Sequence, residues 1–333
     1  MKDFLNNPEF IDTLIPVSTP VAEGISPEII QSIITEIETR KLQVHSLLII
    51  KNGKRVCEQY GIDKNQQLTP NDKHVLYSTT KTFTSMLIGL CINDGFIKSV
   101  DQRILDFFDI NEITKPSSKK NNITIKHLLT MHSGLKYLEG TAADFKVFSE
   151  ACSACKFLSR SMVAEPGIKW NYSTADSQIL AEIIRRATGV TPFDYANEKI
   201  FKPLNITDIT WDTDASGTHW GGIGLYLRPR DLARFGLMLI NEGKFANQQI
   251  IPSAWIKNAT TPQVTATSGW DVGVQYGYHC WVPPFGGFAT QGYMGQNMYV
   301  LKERNLIVVF TAELSPPKTA NTILAKFVQK LLN

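Results

Sequence analysis

A serine and a lysine three positions apart, in the run Ser78-Thr79-Thr80-Lys81, have the clearest chemical potential in this sequence. On a helix, positions i and i+3 share a face, so a lysine ammonium can reach the serine hydroxyl. At a helix N-terminus the serine oxygen also lies in the positive end of the macrodipole, which favours a developing alkoxide. The spacing alone says little, because it recurs at Ser117/Lys120, Ser133/Lys136, Ser153/Lys156 and Ser315/Lys318. Context separates these pairs. Ser117 lies in the polar run TKPSSKKNN, Ser315 precedes two prolines, Ser133 precedes a glycine, and Ser153 falls inside a helix-like pattern. Only Ser78 stands where an extended segment, KHVLY, meets a long apolar stretch, FTSMLIGLCINDG. The plainer role for Ser78 is a helix N-cap, and for Lys81 a solvated first-turn residue.

A serine hydroxyl is a poor nucleophile until a base takes its proton. Tyr172 is a candidate helper: a Pro166-Gly167 turn delivers it just ahead of the helical pattern ADSQILAEIIRRATG. Tyrosine and lysine both titrate near pH ~10, so either needs tuning to act near neutrality. Close approach of an ammonium favours phenolate and disfavours the ammonium itself. The plainer role for Tyr172 is a core residue with a satisfied hydroxyl. The third piece is Phe288-Ala289-Thr290-Gln291-Gly292-Tyr293-Met294-Gly295-Gln296, whose glycines suit a strand with a backbone that closely approaches a ligand. A backbone amide there, facing that of Ser78, would make an oxyanion hole.

These residues need elements to hold them. Apolar spacing predicts a helix over 27–41, then two strands in VHSLLIIKNGKRVCEQYGI around Asn52-Gly53, the strongest short hairpin signal. The stretch from about 100 to 265 reads as helix-rich, and from about 272 short β-type runs lead to a closing helix, TANTILAKFVQKLL. Strands at both ends and helices between them point to a sheet drawn from both termini and interrupted by a helical insertion. The expected division is 1–70 with 270–333 as a sheet domain, and 71–269 as a mainly helical lobe carrying Ser78.

With 333 residues, 43% of them apolar, there is ample material for a core. A net charge of +3 without a basic stripe argues against nucleic acid as partner. No apolar run approaches the ~18 residues of a membrane span, and the N-terminus lacks a signal-peptide pattern, so the chain reads as soluble and cytoplasmic. Five cysteines are too few for a disulfide scaffold. Cys152 and Cys155 have C-x-x-C spacing inside a helix-like stretch and read as separate packing or surface thiols. There is no G-x-x-x-x-G-K-[ST], strand-linked G-x-G-x-x-G, H-E-x-x-H or G-x-S-x-G. The six histidines never pair at helical spacing, so a metal site would have to be assembled from distant segments. No metal and no cofactor are expected. The aromatics Tyr137, Trp220 and Trp281 read as core.

Taken together, Ser78-Thr79-Thr80-Lys81, Tyr172-Ser173-Thr174 and the Gly-containing strand near the C-terminus resemble the three motifs of the serine β-lactamase/penicillin-binding-protein superfamily. The stretches LLTMHSGL, EPGIKWNYS, GGIGLYLRPRDLARFGLMLINEG and YGYHCWV are similar to its class C-like branch, above all to 6-aminohexanoate-dimer hydrolase and family VIII carboxylesterases. The resemblance covers about residues 45–333. It implies an α+β, β-lactamase-like fold: an antiparallel sheet flanked by helices and built from both termini, plus an inserted all-α lobe. It implies Ser78 as acylated nucleophile, Lys81 as its activator and Tyr172 as general base and then acid. The Ser78 and Tyr293 amides become the oxyanion hole, with Thr174, Gln291 and Gly292 as possible substrate contacts. Two positions depart from the family pattern. Thr174 replaces the Asn of Tyr-x-Asn, and Thr290 replaces the Lys of Lys-Thr-Gly, a cation that holds the substrate carboxylate of penicillins. Glu165-Pro166 has no accompanying Ser-Asp-Asn, and Glu165 reads as turn-flanking. The expectation is therefore a serine hydrolase acting on a small ester or linear amide. A β-lactamase or D-alanyl-D-alanine carboxypeptidase role comes second, and a silent binding or scaffold protein on the same fold is the alternative of another class. Oligomeric state is not legible.

Overall fold

Asn52 and Gly53 take φ values of +52° and +77°. Those signs let the chain reverse with the twist of the flanking strands. The turn joins strand β1 (Val44–Lys51) to β2 (Lys54–Tyr60) in the computed structural model, which describes residues 1–267 and 274–332, without the side chains of 317 and 318. On its other edge β1 receives the C-terminal strands: β3 (Phe288–Gly292), β4 (Gln296–Leu301) and β5 (Leu306–Ala312). Val308 lies opposite Ile49, Tyr299 opposite Val308, and Thr290 opposite Met298. Among the described residues this makes a nine-stranded antiparallel sheet in the order Lys2–Asp3, β2, β1, β5, β4, β3, Trp281–Val282, Gln275–Tyr276, Val264–Thr265. The expected α+β arrangement, with a sheet drawn from both ends of the chain, is what forms. The domain boundary expected between 269 and 270 lies outside the described residues.

The strands read LLII and LIVVF because both sheet faces are covered. Leu48, Ile50, Met298, Val300, Ile307 and Val309 enter one apolar cluster, and Leu47, Ile49, Tyr299, Leu301, Val308 and Phe310 the other. Helices α1 (Pro27–Thr39) and α5 (Pro317–Lys330) close the second face through Ile33, Ile37, Leu324 and Phe327. The first face carries α4 (Pro229–Ile240), which lies tight against the sheet: a Cβ on Gly236 would sit 2.7 Å from Met298 Sδ. Between them in sequence come α2 (Thr80–Asn93) and α3 (Thr174–Thr188). Residues 80–91 of α2 are all buried, which accounts for its apolar composition on every side. Phe83 of α2 stacks on Phe235 of α4 with centroids 3.8 Å apart.

Two expectations change. The helix-like stretch containing both cysteines is broken into Ala142–Phe148 and Ser153–Leu158, with Cys152 in a left-handed conformation at the break. There Cys152 and Cys155 are joined by a disulfide, so they are not separate thiols. The break also places Ser153 at a helix start, where its hydroxyl donates to Asp214 at 2.9 Å while Lys156 pairs with Glu150.

A buried ionic group ties the sheet to α4. Glu58 on β2 accepts from Arg230 on α4 at 2.6 and 2.9 Å and from Tyr60 at 3.0 Å, and pairs closely with Arg55. Removing the carboxylate would leave two buried guanidinium groups without their anion. Glu58→Ala is therefore expected to cost about 3–5 kcal/mol of stability, read by urea unfolding. A loss below about 1 kcal/mol would mean that the arginines find other partners.

Candidate active site

The extended segment before Ser78 is short, His74–Val75, and the serine sits in a tight turn, Tyr77–Thr79, that runs directly into α2. Tyr77 is held at φ +44°, a region that costs an L residue roughly 1–2 kcal/mol. Ser78 does not cap the helix; the N-cap position belongs to Thr79. Its hydroxyl instead accepts a hydrogen bond from Lys81 Nζ at 2.9 Å.

Lys81 is 1% exposed, and its ammonium has three acceptors: Ser78 Oγ, Thr174 Oγ1 at 2.9 Å and the Gly222 carbonyl at 3.1 Å. Three protons meet three oxygens. Gly222 must be glycine for this, because a Cβ there would lie 2.7 Å from Thr174 Cγ2 and 3.3 Å from Lys81 Nζ. Thr174 in turn donates to Glu139 Oε1 at 2.6 Å, and its amide donates to Glu139 Oε2 at 3.0 Å. Burial pushes the Lys81 ammonium down to about 8, and the Glu139 charge works against that shift.

Tyr172 completes the cluster. Lys81 Nζ lies 4.8 Å from its ring centroid, and the ring is enclosed by Trp281 at 5.7 Å, Trp170 at 6.2 Å and Tyr276 at 6.4 Å. That apolar surround has a price: burial holds the phenol well above its ordinary value, Glu139 adds to the shift, and the Ser78 side chain opposes it. At neutral pH the phenol keeps its proton. Tyr172 is positioned by the start of α3, where the N-cap Ser173 accepts from the Asp176 amide at 3.1 Å. Asp176 is fully buried, accepts from Ser133 at 2.8 Å and Ser173 at 3.0 Å, and is pushed up to about 7 by burial.

Strand β3 forms the opposite wall. Thr290 Oγ1 lies 3.1 Å from Thr79 Oγ1, and a Cβ on Gly292 would sit 2.3 Å from Leu76 O, so only glycine lets the strand pass that close to the serine turn. Tyr293 follows, with its ring edge-on to Tyr77 at 5.5 Å. The Gly292 amide is committed to Asn297 Oδ1 at 3.2 Å. Gln291 projects to the other face of the sheet, where it accepts from Asn321 of α5 at 3.1 Å.

The structure thus gathers Ser78, Lys81, Tyr172 and Thr174 and brings Gly292 and the Tyr293 ring against the serine turn, while the Gln291 side chain is turned elsewhere. Sequence reasoning missed Glu139, which lies in a loop without a pattern, and Asp176. It noted the Gly221-Gly222 run without assigning the carbonyl a partner. Trp281 is buried, as expected, but against Tyr172. Glu165 pairs with Lys119 at the surface. No histidine hydrogen-bonds Ser78 or Lys81 among the described residues. Among the described residues two side-chain groups have ligand-like spacing, Glu112/Cys152/Cys155 and His45/Asp63/Glu313; the disulfide ties up both cysteine sulfurs of the first, and neither includes a member of the serine cluster.

Comparison with known proteins gives the cluster its relatives. The family model described as Beta-lactamase matches residues 30–332. Acyltransferase mokF of Monascus pilosus is 32% identical over 154 residues, 41% of this chain and 37% of that protein, so the chain spans well under half the length of this relative. A Bacillus anthracis structure with the provisional name 6-aminohexanoate-dimer hydrolase superposes with a TM-score of 0.78 at 20% identity, covering 98% of this chain and 89% of the other. A family VIII carboxylesterase structure superposes at 0.73 and 16% identity, covering 92% of this chain and 98% of the other. At these identities the superpositions establish a shared β-lactamase-like fold.

An ammonium has no lone pair for a serine proton, so modification of Ser78 by an electrophile should speed up as pH rises through about 8. Glu139→Gln removes the charge that favours the ammonium while keeping an acceptor for Thr174. The midpoint of a fluorophosphonate labelling profile should then move to lower pH. An unchanged or raised midpoint would uncouple Glu139 from Lys81.

Proposed function

The chain belongs to the Beta-lactamase family, and we propose that it is a serine hydrolase that cleaves ester or linear amide bonds through an acyl-enzyme on Ser78. The observation that carries this reading is the buried Lys81 ammonium hydrogen-bonded to the Ser78 hydroxyl beside Tyr172. In this scheme Lys81, as the free amine, takes the Ser78 proton while Ser78 Oγ attacks the substrate carbonyl. The oxyanion settles between the backbone amides of Ser78 and Tyr293. Tyr172, which keeps its proton at neutral pH, passes it to the departing alcohol or amine and is reprotonated through Lys81. A water, or an alcohol in an acyl transfer of the kind named for the Monascus relative, then releases the acyl group from Ser78. The chain divides, in this reading, into a sheet part (1–70 and 270–333) and a mainly helical part (71–269), with the site where they meet.

Thr290 supports esters and linear amides over β-lactams. Its side chain supplies no cation for a substrate carboxylate, and its hydroxyl lies beside Thr79. A β-lactamase or D-alanyl-D-alanine carboxypeptidase reading would need that charge from elsewhere, and a silent scaffold would have no use for a lysine buried against a serine.

Intact-mass measurement after exposure to a fluorophosphonate should show one adduct, mapped to the peptide containing Ser78 and lost in Ser78→Ala. No adduct on folded protein would overturn the hydrolase reading. A p-nitrophenyl ester should be turned over faster than a chromogenic cephalosporin, and the reverse order would favour the β-lactamase reading. Tyr172→Phe should keep the fold and lose about 100-fold or more in kcat, the usual scale for a positioned acid/base. An unchanged rate would remove Tyr172 from the mechanism.

A further inference from the structure

Strands β1 and β5 pair in register until their ends, where Thr311 faces Ser46 but Ala312 faces Val44. One residue of β1 is left over, and it is His45. Such a bulge re-aims a side chain that would otherwise follow the strand's alternation. His45 is 8% exposed, and neither of its ring nitrogens has a hydrogen bond among the described residues. The ring is mostly enclosed, and its nitrogens are left free to take a ligand.

Two carboxylates converge on it from distant parts of the chain. Gly61 lets the chain leave β2 close beside β1, since a Cβ there would lie 2.3 Å from Val44 O. The small hairpin of Ile62–Asp63 and Gln66–Gln67 then carries Asp63 back to His45. Glu313 follows directly after β5, and its amide donates to Gln43 O at 2.8 Å. A ring nitrogen of His45 and one oxygen each from Asp63 and Glu313 lie within 4.8 Å of one another. Neither carboxylate has a hydrogen bond or ion pair among the described residues. The ring of His74 lies alongside His45 with centroids 5.7 Å apart, and its Nε2 is also buried and without a partner. The neighbouring cation is Lys64, an exposed residue beside Asp63.

We propose that His45, Asp63 and Glu313 form a binding site for a divalent transition-metal ion of the zinc class, held by one imidazole nitrogen and two carboxylate oxygens. A nitrogen–oxygen donor set of this kind suits zinc, with water completing the coordination. Bonds of about 2.0–2.2 Å need the donors to close by roughly an ångström, which two partly exposed carboxylates can do. The ion would bind β1, the Ile62–Gln67 hairpin and the end of β5 together. Leu314, one residue past the site, donates its amide to Met294 O at 3.0 Å, so the clamp would also bear on the turn that presents Tyr293. The site is separate from the serine cluster and does not depend on the hydrolase reading.

The test is titration of chelator-stripped, full-length protein with Zn²⁺ by calorimetry, and with Co²⁺ by visible absorption. One saturable equivalent is expected, with a Co²⁺ spectrum of four- or five-coordinate character. His45→Gln and Glu313→Gln should each weaken binding at least ~10-fold, and the Cys152→Ser/Cys155→Ser double variant should leave it unchanged. Should His45→Gln fail to fold, Asp63→Asn and Glu313→Gln, both at accessible positions, decide the matter. The proposal is overturned if no saturable equivalent binds, if the equivalent survives the carboxylate variants, or if it is lost only with the cysteines.

Discussion

A lysine ammonium taken almost wholly out of water is the constraint around which this molecule is organised. Removing such an ion from solvent costs roughly several kcal/mol even after relaxation, and the cost is recovered only when every proton finds an oxygen. Lys81 meets that condition with oxygens from three places: its own turn, the start of α3 and the Gly221-Gly222 run. The rest of the site follows. Gly222 has no side chain because the ammonium needs its carbonyl. Thr174 carries a hydroxyl because one group must accept from Lys81 and donate to Glu139. The same burial that makes the ammonium expensive lowers its hold on the proton, so the cost of placing it there and its readiness to lose a proton have one cause.

The aromatic enclosure of Tyr172 works in the opposite sense. Trp170, Tyr276 and Trp281 strip water from a phenol and make it a weaker acid. One buried group is thereby tuned to give up a proton more easily and its neighbour to keep one. Two groups with nearly equal pKa values in water are thus pushed far apart by a single apolar environment. Assigning acid and base to different partners depends on such a separation.

Much of this was legible in the sequence because it is local. The Ser78/Lys81 spacing, the Asn52-Gly53 turn, the apolar periodicity of α1 and the Pro-Gly approach to Tyr172 all involve residues within a few positions of one another. The order of strands and helices was legible too, since both ends of the chain are rich in β-branched runs and the middle is not. Other features depend on meetings across long stretches of chain. Glu139 reaches Thr174 over 35 positions from an exposed loop, and nothing in its neighbours marks it. The Gln291 side chain was placed by motif, but strand alternation turns it to Asn321 instead. Helical periodicity ran straight through Cys152, where the backbone takes a left-handed turn that only three-dimensional context selects. His45 looked like an ordinary strand residue, since a bulge is a property of two strands and not of one.

The pairing of β1 with β5 has a consequence for how the chain comes to life on the ribosome. Val44–Lys51 emerges with both faces apolar and one edge unpaired, some 260 positions ahead of its permanent neighbour. At synthesis rates of about 5–20 residues per second the hairpin waits many seconds for that partner. During that interval it presents an open, apolar strand edge, the kind of template on which another nascent chain can add a strand. The sheet, and with it the wall of the site that β3 supplies, closes only when β5 arrives. Yield of active protein should therefore depend on crowding among nascent chains as well as on the stability of the finished fold, with fewer chains in synthesis at once and chaperone holding favoured over rapid overproduction.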